Sequence, residues 1–113
     1  MNYKWTPSET LEGFVEIKLL KYNDRMKVLE SLNLKPNKEG EVTVNKDTID
    51  QLSKIRERLV DQITKVDLKH KDSGLHFKSL DDLEYYEEYQ EVVNSLSGIL
   101  LNGVKLGNGS KKR

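Results

Sequence analysis

The feature that most constrains this chain is a change of period at Ile63. Ile49, Leu52, Ile55, Leu59 and Ile63 recur three or four residues apart, which is the spacing of one face of a helix. Arg56, Glu57, Arg58 and Asp61 fall mostly on another face. From Ile63 onward Thr64, Val66, Leu68 and His70 alternate with Lys65, Asp67 and Lys69, the period of a half-buried strand. An amphipathic helix that runs directly into an amphipathic strand requires helices packed on a sheet around one core.

The rest of the chain fits that frame. Val15, Ile17 and Leu19 alternate with Glu16 and Lys18, predicting a strand over residues 13–20. Asn23 is the expected N-cap of a helix running to Leu32, with Met26, Leu29 and Leu32 as its apolar stripe. Residues 35–40, with Pro36, Asn37 and Gly40, read as a loop, and Val42 and Val44 suggest a short strand over residues 41–45. Asp47 is the expected cap of the helix before Ile63.

Residues 71–74 predict a turn and residues 75–77 a short return strand. Ser79 then opens a long last helix, with Ser79-Leu80-Asp81-Asp82 as an acidic capping box. Its stripe is Leu83, Tyr86, Gln90, Val93, Leu96 and Leu100, and Asn102-Gly103 is its C-cap. Residues 1–11 are polar apart from Trp5, which is expected to fold back as a lid on the sheet. The expected fold is α+β: one domain over residues 1–106, with a small antiparallel sheet and about three helices, the last long and C-terminal. Residues 107–113 read as a flexible basic tail.

Composition removes several classes of function. The 19 basic and 19 acidic residues cancel, so the chain lacks the cationic surplus of a general nucleic-acid binder or of a protein held on anionic lipid. It has no cysteine, which excludes disulfides, thiolate metal sites and thiol nucleophiles and fits a reducing cytoplasm. Residues 1–10 hold no apolar signal core and no run reaches transmembrane length, so a cytoplasmic location is expected. His70 and His76 flank a turn that also holds Asp72, but two histidines are too few for a metal site. Gly103, Gly107 and Gly109 follow a helix, whereas a phosphate loop precedes one. No Ser/His/Asp set or dinucleotide fingerprint is present, and neither enzymatic activity nor a cofactor or metal is expected.

One segment stands out by charge. From Ser79 to Val104 there are Asp81, Asp82, Glu84, Glu87, Glu88 and Glu91, interleaved with Tyr85, Tyr86 and Tyr89, and no Lys or Arg. Carboxylates serve as acid and base only when their environments separate their pKa values. A solvated helix face, with acids complementing the helix dipole, is the structural alternative. Tyrosine among acids also makes a docking face for a basic partner segment. The candidate protein-binding residues are Tyr85, Glu87, Glu88, Tyr89 and Glu91, with Arg56 from the preceding helix. An acidic helix that mimics DNA phosphates, in a small regulatory or nucleic-acid-associated protein, is the alternative function.

Two segments carry a resemblance. Residues 13–25 run from a strand into Leu20, Tyr22, Asp24 and Arg25, the "leucine, any, tyrosine, any, acid, arginine" step of small phage tail proteins. Ser79-Leu80-Asp81-Asp82-Leu83-Glu84-Tyr85 and Ile99-Leu100-Leu101-Asn102-Gly103 are similar to that group's closing helix. In order and spacing the chain resembles tail assembly chaperones of long-tailed bacteriophages. The resemblance implies a chaperone of viral tail assembly in the host cytoplasm. It would bind the tape measure protein, keep it soluble and bring tail tube subunits to it, without catalysis. It also implies a longer form made by programmed frameshift, and Lys111-Lys112 suits a slippery run of A nucleotides. A homo-oligomer is compatible with that role.

Overall fold

The computed structural model describes residues 1–7, 9–38, 41–42 and 49–104. Two strands, β1 (Asn2–Trp5) and β2 (Leu11–Lys18), lead to helix α1 (Tyr22–Ser31). Helix α2 (Ile49–Gln62) passes without a break into β3 (Ile63–His70), so the change of period marks a real junction. A two-residue strand, β4 (His76–Phe77), a one-turn helix, α3 (Leu80–Leu83), and a long helix, α4 (Glu88–Asn102), complete the chain. The strands form one antiparallel sheet in the order β1-β2-β3-β4, which gives the α+β architecture expected.

The two central strands are joined through α1 and α2. Their register runs from Leu11↔His70 to Ile17↔Ile63, with a bulge that leaves Thr64 as the extra residue. Thr64 Oγ1 stays at this irregularity and donates to the Glu16 carbonyl oxygen at 3.3 Å. Leu11, Val15 and Ile17 of β2 and Val66 and Leu68 of β3 are buried on one face, as period two requires. Ile55 and Leu59 of α2, Leu29 of α1 and Val92, Val93, Leu96, Leu100 and Leu101 of α4 close over that face. The side chains of Ile49 and Leu52 lie outside the described set. The opposite face of the sheet is open and charged, with Phe14 lying beneath Lys4 and Lys65 at 4.8 and 5.6 Å from its ring centre.

The structure corrects the sequence reading at several points. Residues 2–5 are a strand, β1, that pairs Trp5 with Val15 and Tyr3 with Ile17. Trp5 therefore packs against the core as part of the sheet edge, not as a lid folded over it. Strand β2 starts two residues earlier than expected and ends at Lys18. Helix α1 is entered from Lys21, whose carbonyl oxygen takes the first helical hydrogen bond from Arg25 N–H at 2.9 Å, so Asn23 is inside the helix. Glu41 and Val42 are not in a strand. Asn102 instead clasps Val42, accepting its N–H at 2.7 Å and donating to its carbonyl at 3.0 Å. The remainder of that predicted strand, the cap at Asp47 and the tail at 107–113 lie outside the described residues.

The last helix is two helices. Residues 84–87 form successive three-residue turns, with Glu84 N–H on Asp81 O, Tyr86 N–H on Leu83 O and Tyr89 N–H on Tyr86 O. Carboxylates at Glu84, Glu87, Glu88 and Glu91 fall three and four apart, and like charges at that spacing oppose a continuous α-helix. The break resets the phase of the stripe: Gln90 is exposed and Val92 is buried. Ser79 occupies the N-cap of α3 but makes no side-chain capping bond; Asp82 Oδ2 takes the Lys78 N–H instead, at 3.0 Å. Gly103 does terminate α4, at φ 79°, with its N–H on Ile99 O at 2.8 Å.

Candidate functional site

The acidic segment folds into two neighbouring structures that divide the candidate residues between them. The first faces α2. Arg56 Nη2 donates to Asp81 Oδ1 at 2.8 Å and to Glu84 Oε2 at 2.7 Å, and the guanidinium lies 5.7 Å from the centre of the Tyr89 ring. Arg56 Nε is buried and has no hydrogen-bond partner among the described residues. Arg56 thus holds the α3–α4 turn onto α2, and Tyr89 is half-buried beneath it. Burial pushes the Tyr89 hydroxyl above its ordinary pKa near 10, while Arg56 opposes the shift. Neutral Tyr89 is favoured in the fold, so its contribution to stability is complete below about pH 10 and is lost above that.

The second structure is a groove between α4 and the segment joining β1 to β2. Trp5, Pro7, Leu11 and Val92 form its apolar lining, and its volume is about 160 Å³. Glu9 and Thr10 from the β1–β2 segment, Glu87 at the N-cap of α4 and Glu88 and Glu91 from α4 line the adjoining cleft, of about 130 Å³. Glu87 and Glu91 are exposed, one turn apart. Glu88 is held differently: its side chain is 20% exposed, accepts from Thr10 Oγ1 at 3.0 Å and sits 3.8 Å from His70 Nε2. His70 Nδ1 in turn accepts from Ser73 N–H at 3.1 Å, which aims the opposite ring nitrogen at Glu88. Glu88 therefore ties α4 to the end of the β2–β3 ladder while contributing charge to the cleft.

Of the six candidate residues, Glu87, Glu88 and Glu91 converge on the groove. Arg56 and Tyr89 belong to the internal cluster on the other side. Tyr85 stands at the tip of the turn between them, 87% exposed. Tyr86 stays exposed and lies edge-on to Phe77 with ring centres 5.7 Å apart. The sequence reading missed the opposite wall, Trp5, Pro7, Glu9, Thr10 and Leu11, because those residues come near Glu91 only once β1 is paired to β2. The alternation of Tyr3 and Trp5 about Lys4 was the available signal.

The histidines do not meet. His76 pairs with Lys69, so it falls on the face of the sheet opposite His70. Among the described residues no group of three or more His, Cys, Asp or Glu is arranged to hold a metal ion, and no helix is long and apolar enough to cross a membrane. The two segments that carry the resemblance do meet. Arg25 Nη1 donates to Leu20 O at 3.1 Å, its guanidinium lies 5.8 Å from the Tyr22 ring centre, and a Cβ on Gly103 would stand 2.9 Å from Arg25 Nη1. Comparison with protein-family models, curated proteins and solved structures returns no match.

Proposed function

We propose that this protein is a non-enzymatic binding factor that grips a basic segment of a protein partner in the groove between α4 and the β1–β2 segment. The observation that carries the reading is the convergence of Glu9 with Glu87, Glu88 and Glu91 beside the half-buried Trp5 and Pro7, the last three glutamates lying on a stretch that holds no cation from residue 79 to residue 104. Carboxylates at the rim steer and orient a cationic segment, and the half-buried Trp5 and Pro7 take the aliphatic stems of its Lys and Arg side chains. The neighbouring Tyr85 adds an exposed amphipathic ring of the kind enriched at interfaces.

The resemblance to phage tail assembly chaperones gives this reading its biological form. The partner is then a tape measure protein, a long helical chain whose apolar stripes aggregate unless covered, with tail tube subunits recruited afterwards. The site of action is the host cytoplasm. Contact between the two resembling segments at Arg25 and Gly103 supports their having one structural role.

Co-expression tests the proposal. The product of a long helical reading frame adjacent to this gene is expected in the soluble fraction when the chain is present and in the pellet when it is absent. A partner equally soluble alone, with no complex recovered, overturns the reading.

A further inference from the structure

The sheet ends in β1, and the outer edge of β1 is uncovered. Leu19 N–H donates to Met1 O at 2.8 Å, which makes Met1 and Leu19 a hydrogen-bonded pair of the β1–β2 ladder. Such pairs alternate in an antiparallel ladder, so Tyr3 with Ile17 and Trp5 with Val15 bond in the same way. The backbone N–H and C=O groups of Asn2 and Lys4 therefore point away from β2, where no further strand lies among the described residues. The side chains alternate too. Met1, Tyr3 and Trp5 follow the core face set by Ile17 and Val15, while Asn2 and Lys4 follow the charged face. The apolar set is only partly covered: Met1 is 86% and Tyr3 37% exposed. β1 carries no proline, bulge or inward-pointing charge that would block pairing.

We infer that this edge binds a second copy of the chain, β1 against β1, joining two sheets into one. The edge is its own complement about a two-fold axis through Tyr3. Asn2 then exchanges both backbone bonds with the partner's Lys4, and Lys4 does the same with the partner's Asn2. Tyr3 meets the partner's Tyr3 in a non-hydrogen-bonded pair, where side chains come closest, and Met1 meets the partner's Trp5. Sulfur at an aromatic ring is a favourable contact. On the other face each lysine stands opposite an asparagine. Sliding the pair so that the axis passes through Lys4 sets the two lysines directly opposite, which like charge opposes. A dimer presents the acidic groove twice, so a partner with repeated basic segments is held by both copies. The pairing itself does not depend on that groove.

The interface is small, so a dissociation constant of about 10–100 μM is expected. Sedimentation equilibrium across roughly 5–500 μM measures it. Lys4→Pro removes one outward N–H and none of the bonds from Tyr3 and Trp5 to β2, so it should weaken the dimer at least about tenfold with circular dichroism unchanged. Register is read by crosslinking. The native chain has no cysteine, so an introduced thiol is the only one. Tyr3→Cys should form the dimer disulfide at least about tenfold faster than Lys4→Cys, whose thiols lie too far apart in this register. A native chain that stays monomeric throughout, or a folded Lys4→Pro variant that dimerises as tightly, overturns the inference. So does crosslinking no faster at position 3 than at position 4, a result that decides the matter even if Lys4→Pro fails to fold.

Discussion

Replacing Gly13 with alanine is expected to cost about 3 kcal/mol or more, a large part of the roughly 5–15 kcal/mol that holds a domain of this kind folded. Gly13 sits in β2 opposite Leu68 with φ of 107°, a backbone conformation that side chains with a Cβ rarely adopt. The new Cβ would overlap the Asp67 carbonyl oxygen and stand 3.2 Å from Leu68 Cα. Those are backbone atoms of the adjacent central strand, so relief requires moving β2 away from β3. Urea denaturation followed by circular dichroism measures the loss. Gly98→Ala is the matched control: its Cβ meets nothing within 4 Å inside α4, so the change should be neutral or stabilising by up to about 1 kcal/mol. A Gly13→Ala protein as stable as the parent would contradict the described register of β2 on β3.

The second large effect falls on binding. Glu87→Lys with Glu91→Lys is expected to weaken association with a basic partner segment at least about thirtyfold, about 2 kcal/mol, while leaving the fold intact. Both side chains are exposed and neither anchors another element. Glu88 is the exception within the set. Reversing its charge would place a cation beside His70 and discard the bond from Thr10, so a loss of binding in that variant would mix unfolding with recognition. Glu88→Gln keeps an acceptor for Thr10 and isolates the charge. Unchanged binding by the folded double variant would remove the acidic groove from the interface.

These two positions also show how much was legible in the sequence. The junction at Ile63 was readable because a stripe at helical spacing gives way to strict alternation over enough residues for each period to be counted. The buried faces of β2 and β3, and of α2 at Ile55 and Leu59, followed from the same signal. β1 was hard to read: its four residues on a sheet edge, NYKW, expose three of their side chains, and the alternation of Tyr3 and Trp5 about Lys4 is too short a run for a period to be counted. The break at residues 84–87 was hidden because Leu83, Tyr86, Gln90 and Val93 keep helical spacing across it. The conflict lies in like-charge crowding and in the edge contact of Tyr86 with Phe77, which is set by the fold and not by local spacing.

The candidate site divides in the same way. The density of acids named Glu87, Glu88 and Glu91 without any fold, because one-sign charge is a local property. Local sequence does not say that Arg56 is spent internally on Asp81, Glu84 and Tyr89. Nor does it say that Glu9 and Trp5 complete the groove, since that wall arrives through strand pairing over a long sequence separation.

The most direct test of the central claim is a map of amide chemical-shift changes when deca-lysine is titrated into the full-length chain. Saturable shifts confined to residues 5–11 and 87–95 are predicted, weakening as salt rises. Shifts centred instead on Phe14 and Lys65 of the open sheet face, or none at any peptide concentration, would contradict it.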